Sequence, residues 1–578
     1  MAGPTAPKDP EKARPFFYIL KDKDIFGERQ KDGTGIQFIY ESDGRLINSA
    51  QITGNVTDKE ELRLLETVEG FGRLVHSIGV SVETDRPEET AEFVFQMYGK
   101  KDLYGGGTNL TTSLKCDGME HRIYLSDYRW TEDDHVPGQI KILFASPERM
   151  GKVSVRLFLN DGYEAPPEEE DLVIDMHSEE YCGMISRSLL QLGNPYRIRK
   201  AIEKSKAGKE VTLAYIGGSI TQGAGAIPIH TECYAYKSFQ LFQNRFSTQN
   251  NVRFIKAGVG GTPSELGMIR FDRDVLREGE RPDIVVIEFA VNDEGDETKG
   301  VCYESLVRKV LKLPWKPAVV LLFSVFANDW NLQERLRPVG DLYDLPMVSI
   351  RDAVTPQFSL KCGEGRILSK NQFFYDIFHP NNTGHTIMAD CLQYLFERCD
   401  AAEPARVGTF VEGMTEEQIL SEKLSGPAVI GADFERIFLL DKKNRYVGAK
   451  IRAGSFTSTD IELQSVEMDG NLTQTPEFPY NWMYDGSRPQ MPGFEMEIIC
   501  KSLFLIFKDS GETDVGKANV FVNDVYCMTA DPHKNNWLHC NAVLLFWETE
   551  SRSHKVRIAV TEEDRNKKFT ILGFGYTI

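Results

Sequence analysis

Between Val211 and Ile350 five short apolar runs recur: Val211–Ile216, Val252–Ala257, Ile284–Val291, Ala318–Phe326 and Met347–Ile350. Most are almost unbroken and rich in β-branched residues, the second being interrupted by Arg253 and Lys256. A strand with one wet face alternates apolar and polar residues, so an unbroken run of this length implies cover on both faces. Helix-like segments separate the runs, among them Glu232–Phe246, Ser264–Leu276 and Tyr303–Leu313. Strands alternating with helices leave few solutions besides a parallel sheet with helices on both sides. The pattern predicts an α/β domain of five parallel strands over about residues 180–402. It closes with a helix at Thr383–Arg398, which places Ile387, Met388, Cys391, Leu392, Leu395 and Phe396 on one face.

The 578 residues leave room for more than one such unit, at about 100–200 residues per domain. From Phe16 to about Asn160 the apolar runs are short and often alternating, with turns such as Gly105-Gly106-Gly107 and Asn160-Asp161-Gly162 between them. This predicts an N-terminal β-sandwich domain over 1–175. Its last part, Tyr163–Asp171, reads as a solvated acidic linker. After a loop at Ala401–Gly408 strand patterns return, from Ile437–Leu440 to Phe569–Tyr576, with helix limited to about Thr415–Glu422. A second β-sandwich or jelly roll is expected over 405–578.

Composition narrows the function. Asp plus Glu exceed Lys plus Arg by 86 to 67, a net charge of −19. A chain this acidic is poorly suited to nucleic acid or an anionic membrane surface. No apolar run approaches the roughly 20 residues of a membrane helix. The ten cysteines contain no C-x-x-C pair and do not cluster with histidines, which argues against a zinc site and a disulfide framework. The N-terminus shows no apolar stretch behind a basic start, so a cytoplasmic location is expected. A removed leader would reverse this. On the cytoplasmic reading the sequons at Asn55, Asn109, Asn381 and Asn471 carry no meaning.

The chemistry-bearing residues stand at element boundaries of the middle domain. The first strand ends in Gly217-Gly218-Ser219-Ile220-Thr221, the second in Gly258-Val259-Gly260-Gly261-Thr262, and the third in Ala290-Val291-Asn292-Asp293. Asp376-Ile377-Phe378-His379 precedes the last helix. In open parallel sheets ligands bind at the carboxyl ends of the strands. Taken singly, each of these is ordinary: Gly-Gly-Ser as a turn, Gly-Gly as a strand–helix turn with Ser264 as N-cap, Asn-Asp as turn residues. A dinucleotide fingerprint fails, because counting from Gly258 the third glycine position falls on Pro263.

Together and in this order, the four blocks resemble the SGNH (GDSL-like) hydrolase superfamily over roughly Val211–Arg398. The resemblance implies a flavodoxin-like sheet of about five parallel strands and a serine hydrolase without metal or organic cofactor. It implies Ser219 as nucleophile, His379 as general base and then acid, and Asp376 as the group orienting the imidazole. The oxyanion donors would be the backbone N–H groups of Ser219 and Gly261 and the side-chain amide of Asn292. The chain departs from the family pattern at Gly218 and Ile220, where Gly-Asp-Ser-Leu has Asp and Leu, and at Ala290, where glycine is usual. Its Gly-Gly-Ser-Ile-Thr form resembles carbohydrate-esterase members more than lipases.

A domain of this type joined to a jelly-roll β domain is similar to carbohydrate O-acetylesterases acting on xylan- or mannan-type fragments. The expected partner is therefore an acetylated oligosaccharide, and self-association into a homo-oligomer is left open. Tyr480, Trp482, Tyr484 and Trp537 are candidates for sugar contact, and His539 could reach the cleft, although aromatics in a sandwich are usually core. Two other readings stand beside this one: a short-chain lipid esterase or thioesterase, and a non-catalytic carbohydrate-binding protein. Arg270 and Arg273 read as a solvated helix face, and His230 as a helix-start residue or cleft lining. Glu288 interrupts a buried strand and is expected to find a partner, with Lys256 on the neighbouring strand as the candidate.

Overall fold

The structure, a computed structural model, describes residues 9, 12–40, 45–101, 105–168, 170–277, 279–402, 414–467 and 474–578. Most of the expected loop at Ala401–Gly408 and the sequon at Asn471 lie outside these residues.

At its centre Val211–Gly217, Val252–Gly258, Ile284–Glu288, Ala318–Phe323 and Met347–Ser349 lie parallel. Their spatial order is second, first, third, fourth, fifth, the flavodoxin-like doubly wound arrangement. The sheet is mixed and six-stranded rather than the expected five-stranded parallel one, because Leu189–Gln191 pairs antiparallel with the fifth strand. Three residues carry no readable period, so this edge strand leaves no sequence signal.

Side chains of the first strand alternate between two cores. Leu213 and Tyr215 join Phe242, Phe246, Leu392 and Phe396 beneath the helices Tyr234–Phe246 and Asn382–Ala401. Ala214 and Ile216 join Leu266, Met268, Leu306 and Val310 beneath Ser264–Phe271 and Val301–Leu311. All six residues assigned to one face of the last helix are buried.

The N-terminal region holds two antiparallel sheets, of four and five strands, around one core that includes Ile78, Val80, Phe93, Phe95, Ile140 and Ile142. Three short helices, Arg45–Thr53, Lys59–Leu64 and Val68–Leu74, interrupt the expected all-strand pattern. The acidic segment after this region is docked rather than free. Asp171 accepts from Arg366 at 3.5 Å and Asn371 at 3.2 Å, and the Leu172 carbonyl accepts from Gln372 at 2.7 Å.

The C-terminal region is likewise β-rich, and its main strands are hydrogen-bonded into one eight-stranded sheet. Two long strands, Phe494–Asp509 and His539–Val560, run through it side by side, with register shifts at Cys500/Ser502 and Leu503/Phe504. Beyond the shifts both faces of the first of these strands are covered. Leu503, Leu505 and Phe507 enter the region's own core. Phe504 and Ile506, with Leu572, enter the core that also holds Leu266 and Ile269. The C-terminal sheet is thus packed on the helix that follows the second strand, and this contact brings its loops to the rim of the central sheet.

Candidate active site

The first strand turns at Gly217-Gly218 into a one-turn helix, Ser219–Gln222, which puts Ser219 at its first position. His379 and Asp376 come from the loop before the helix Asn382–Ala401. The structure joins these three residues, 160 positions apart along the chain: Ser219 Oγ donates to His379 Nε2 at 2.9 Å. His379 Nδ1 donates to Asp376 Oδ2 at 2.9 Å and lies 3.0 Å from Oδ1. Asp376 Oδ1 also accepts the backbone N–H of Phe378 at 2.7 Å and of His379 at 2.9 Å. Burial by itself would raise the Asp376 carboxyl. The His379 ring, these hydrogen bonds and the charge of Lys23 outweigh it and hold the carboxyl at about 2. The group is therefore an anion throughout the neutral range, able to fix the ring orientation and to stabilise a protonated imidazole.

Asn292 follows the third strand, and its amide lies against Gly218. A Cβ at that glycine would stand 2.2 Å from Asn292 Oδ1. In this backbone the position therefore has room for glycine and not for a larger residue. Among the described residues the Asn292 side chain makes no hydrogen bond, and its Oδ1 is buried without a partner. Gly261 adopts a left-handed φ of 68°, and a Cβ there would meet Trp537 at 2.9 Å and His539 at 3.0 Å. Its carbonyl accepts from His539 Nε2 at 3.0 Å, which turns the peptide over. Next to it, the Gly260 carbonyl accepts from Gln464 Nε2 at 3.0 Å. Burial holds the His539 ring below its ordinary pKa, in keeping with a neutral ring that donates through Nε2 while Nδ1 accepts from Asn535 at 3.1 Å.

Beneath the Ser219 turn lies a buried polar layer. Thr221 bonds Glu288 at 3.1 Å and Tyr234 at 2.8 Å, and burial lifts the Glu288 carboxyl to about 7. The expected pairing of Glu288 with Lys256 does not form. The first strand lies between theirs, and Lys256 instead donates to the Gln222 carbonyl at 3.0 Å. Arg270 is not on a solvated face. It is fully buried and donates to the carbonyls of Gly217 at 2.8 Å and Ala257 at 2.7 Å, with Asp274 alongside at 3.0 Å. It ties together the carboxyl ends of the first two strands, from which Ser219 and Gly261 emerge. Arg273 bridges Asp274 and Glu477 of the C-terminal region. His230 lies on a one-turn helix, Ile229–Glu232.

Of the four candidate sugar-contacting aromatics, Trp482 and Tyr484 are core residues, while Tyr480 and Trp537 are 45% exposed. Only Trp537 stands beside a site residue, Gly261. On the histidine side Phe378, exposed at 39%, meets His379 with ring centroids 6.1 Å apart and Phe326 at 5.1 Å. Gln464 and Lys23 reach the site from regions that sequence reasoning had not connected to it, and no local signal marks either.

Comparison with known proteins agrees with the resemblance read from the sequence. Residues 215–387 match the GDSL-like Lipase/Acylhydrolase family. No curated protein matches. Among solved structures, a two-domain esterase described as active on acetylated mannans superposes with TM-score 0.54 at 23% identity, over 68% of this chain and 98% of its own. Its form co-crystallized with mannopentaose superposes with TM-score 0.53 at 24% identity over the same shares. These likenesses show a shared fold. A catalytic mutant of an acetylxylan esterase from Geobacillus stearothermophilus matches at TM-score 0.26 and 17% identity, over 33% of this chain and 95% of its own.

Proposed function

We propose that this chain is a serine esterase that removes O-acetyl groups from carbohydrates, in particular acetylated xylo- or manno-oligosaccharides. The observation that carries the reading is the unbroken hydrogen-bond chain from Asp376 through His379 to Ser219 Oγ, every link between 2.9 and 3.0 Å. A serine hydroxyl is a weak nucleophile until a base accepts its proton. His379 Nε2 already holds that proton's hydrogen bond. As Oγ attacks the acetyl carbonyl, the proton passes to Nε2, and the Asp376 carboxylate stabilises the imidazolium. The oxygen of the tetrahedral intermediate would be met by the N–H groups of Ser219 and Gly261 and by the Asn292 amide, whose vacant hydrogen-bonding capacity supports that role. His379 then returns its proton to the departing sugar oxygen. In the second half-reaction it takes a proton from the water that attacks the acetyl-enzyme and returns it to Ser219 Oγ as acetate leaves. Each oxyanion donor of this kind contributes about 3–4 kcal/mol to the transition state. All groups required are supplied by the chain itself.

Support for a sugar substrate is the exposed Trp537 at Gly261 and the exposed Phe378 at His379. Apolar faces on two sides of the reacting serine suit the flat, C–H-bearing faces of pyranose rings. The likeness to an esterase described as active on acetylated mannans is in keeping with this reading.

The test is mass spectrometry of acetylated xylo- and manno-oligosaccharides incubated with the protein, with loss of acetyl mass expected. Ser219→Ala should abolish that loss and reduce kcat on 4-nitrophenyl acetate by about three orders of magnitude or more, with Tm nearly unchanged. An active Ser219→Ala variant would remove the nucleophile assignment, and activity confined to octanoyl esters would remove the carbohydrate reading.

A further inference from the structure

We infer that the N-terminal β region is a brace for the acid–base loop, and that Lys23 is the positioning residue through which it acts on the Asp376–His379 pair. The inference rests on the esterase reading of that pair. Three separate contacts converge on the segment from Arg366 to Asn382. Lys23, only 7% exposed, sets its ammonium 4.5 Å from the ring centroid of Tyr375, the residue before Asp376. Ile52, on the helix Arg45–Thr53, belongs to the same buried cluster as Phe373 and Phe374. Asp171 and Leu172 hold Arg366, Asn371 and Gln372 by the hydrogen bonds given above. Asn371 is in turn bonded through its carbonyl to Asn381, the cap of the helix after His379, at 3.2 Å. Tyr375 N–H donates to the His379 carbonyl at 2.8 Å, so the residue under Lys23 also closes the loop that carries both site groups.

Lys23 is delivered by an irregular strand. Phe16–Phe26 shifts register against Met150–Leu159 twice, and Asp22 between the second shift's partners is left-handed at φ 50°. Bulges of this kind re-aim a side chain and are retained where that aim matters. On the same strand burial raises the Asp24 carboxyl, with the charge of Glu232 adding to it and those of Lys152 and Lys23 opposing it. Glu288 and His385 also feel the charge of His379. Lys23 is a cation that the N-terminal region places over Tyr375, and its charge acts on the neighbouring Asp376. A fixed cation there favours the carboxylate of Asp376 and disfavours a second positive charge on the ring, and a cation over an aromatic face also fixes Tyr375 in place.

The experiment compares the full chain with Lys23→Met and Lys23→Arg. Two readouts are taken against pH: steady-state hydrolysis of 4-nitrophenyl acetate, and the rate at which a fluorophosphonate labels Ser219. Labelling needs the same base but no acetyl substrate. For Lys23→Met the acidic limb of both profiles is expected to move up by about half a pH unit. Its kcat should fall several-fold with KM within twofold, and Lys23→Arg should restore both. A merely structural role would lower Tm without moving the limb. Should Lys23→Met fail to fold, Lys23→Gln is measured in its place. Wild-type limb and kcat in the charge-removing variant overturn the brace. A wild type that labels with fluorophosphonate but leaves acetyl esters intact overturns the substrate reading instead, while the labelling profiles still decide the brace.

Discussion

Replacing Asp376 by Asn isolates the role of one carboxylate without changing its shape. Asp376 Oδ1 receives two backbone N–H groups, from Phe378 and His379, at 2.7 and 2.9 Å. In the Asn variant only the carbonyl oxygen can occupy that position, so the NH2 group is forced to face His379 Nδ1. Two donors cannot share the contact. The ring must then accept at Nδ1 and carry its hydrogen on Nε2, which leaves no lone pair for the Ser219 proton. The charge is lost as well. Across the observed 2.9 Å contact, an imidazolium–carboxylate pair at an effective dielectric of about 20 is worth roughly 5 kcal/mol, or between a thousandfold and ten-thousandfold in rate. We expect kcat on 4-nitrophenyl acetate to fall by about 10³–10⁴ with KM within about threefold, since the interaction grows only in the transition state. Fluorophosphonate labelling of Ser219 should slow in parallel. An Asp376→Asn enzyme within tenfold of wild type would refute both the tautomer argument and the assignment of the pair.

Other consequences follow from the same geometry. Gly218→Ala drives a methyl group into the Asn292 amide, 2.2 Å away, so kcat should fall by about 10- to 100-fold with KM little changed, while the Tm measured by differential scanning fluorimetry moves little. Trp537→Ala should raise KM for acetylated oligosaccharides several-fold but leave 4-nitrophenyl acetate kinetics near wild type; equal loss on both substrates would count against a sugar contact. Burial lifts the carboxyl of Asp293 to about 8 and that of Glu265 to about 7, from ordinary values of 3.8 and 4.5. Groups raised in the folded state bind more protons there than in the unfolded chain, so their stabilisation is complete below pH 4 and is lost as pH rises toward 8. Asp293→Asn, which cannot ionise, should flatten the decline of Tm between pH 5 and pH 8; an unchanged slope would show that Asp293 is already ionised.

The central sheet and the site blocks were legible because both are local. Unbroken apolar runs report burial on two faces, and a strand end marks where the rim must be, so Ser219, Gly261, Asn292, Asp376 and His379 stood out at element boundaries before any contact was known. The helices at Arg45–Leu74 were missed because each spans only nine residues or fewer, too short for a 3.6-residue period to emerge. Asp58, which caps Lys59–Leu64 by accepting from Glu60 and Glu61, was the signal available. The register shifts between the two long C-terminal strands were not legible, because a shift in pairing leaves no trace in one strand's own sequence.

By itself, then, the order of residues determined the doubly wound centre, the rim at which chemistry could occur and the residue types that meet there. Their convergence within hydrogen-bond distance was decided by tertiary structure, as was everything that reaches the rim from elsewhere. Arg270 reads as a solvated charge because helical periodicity knows only its own helix, yet it is sealed between two strand ends and Asp274. His539 and Gln464 fix the Gly260–Gly261 turn from more than 200 positions away, and Lys23 reaches Tyr375 from the N-terminal region. The physical reason is that periodicity and turn chemistry act over a few residues, whereas docking one region on another depends on complementary surfaces that exist only after each has folded.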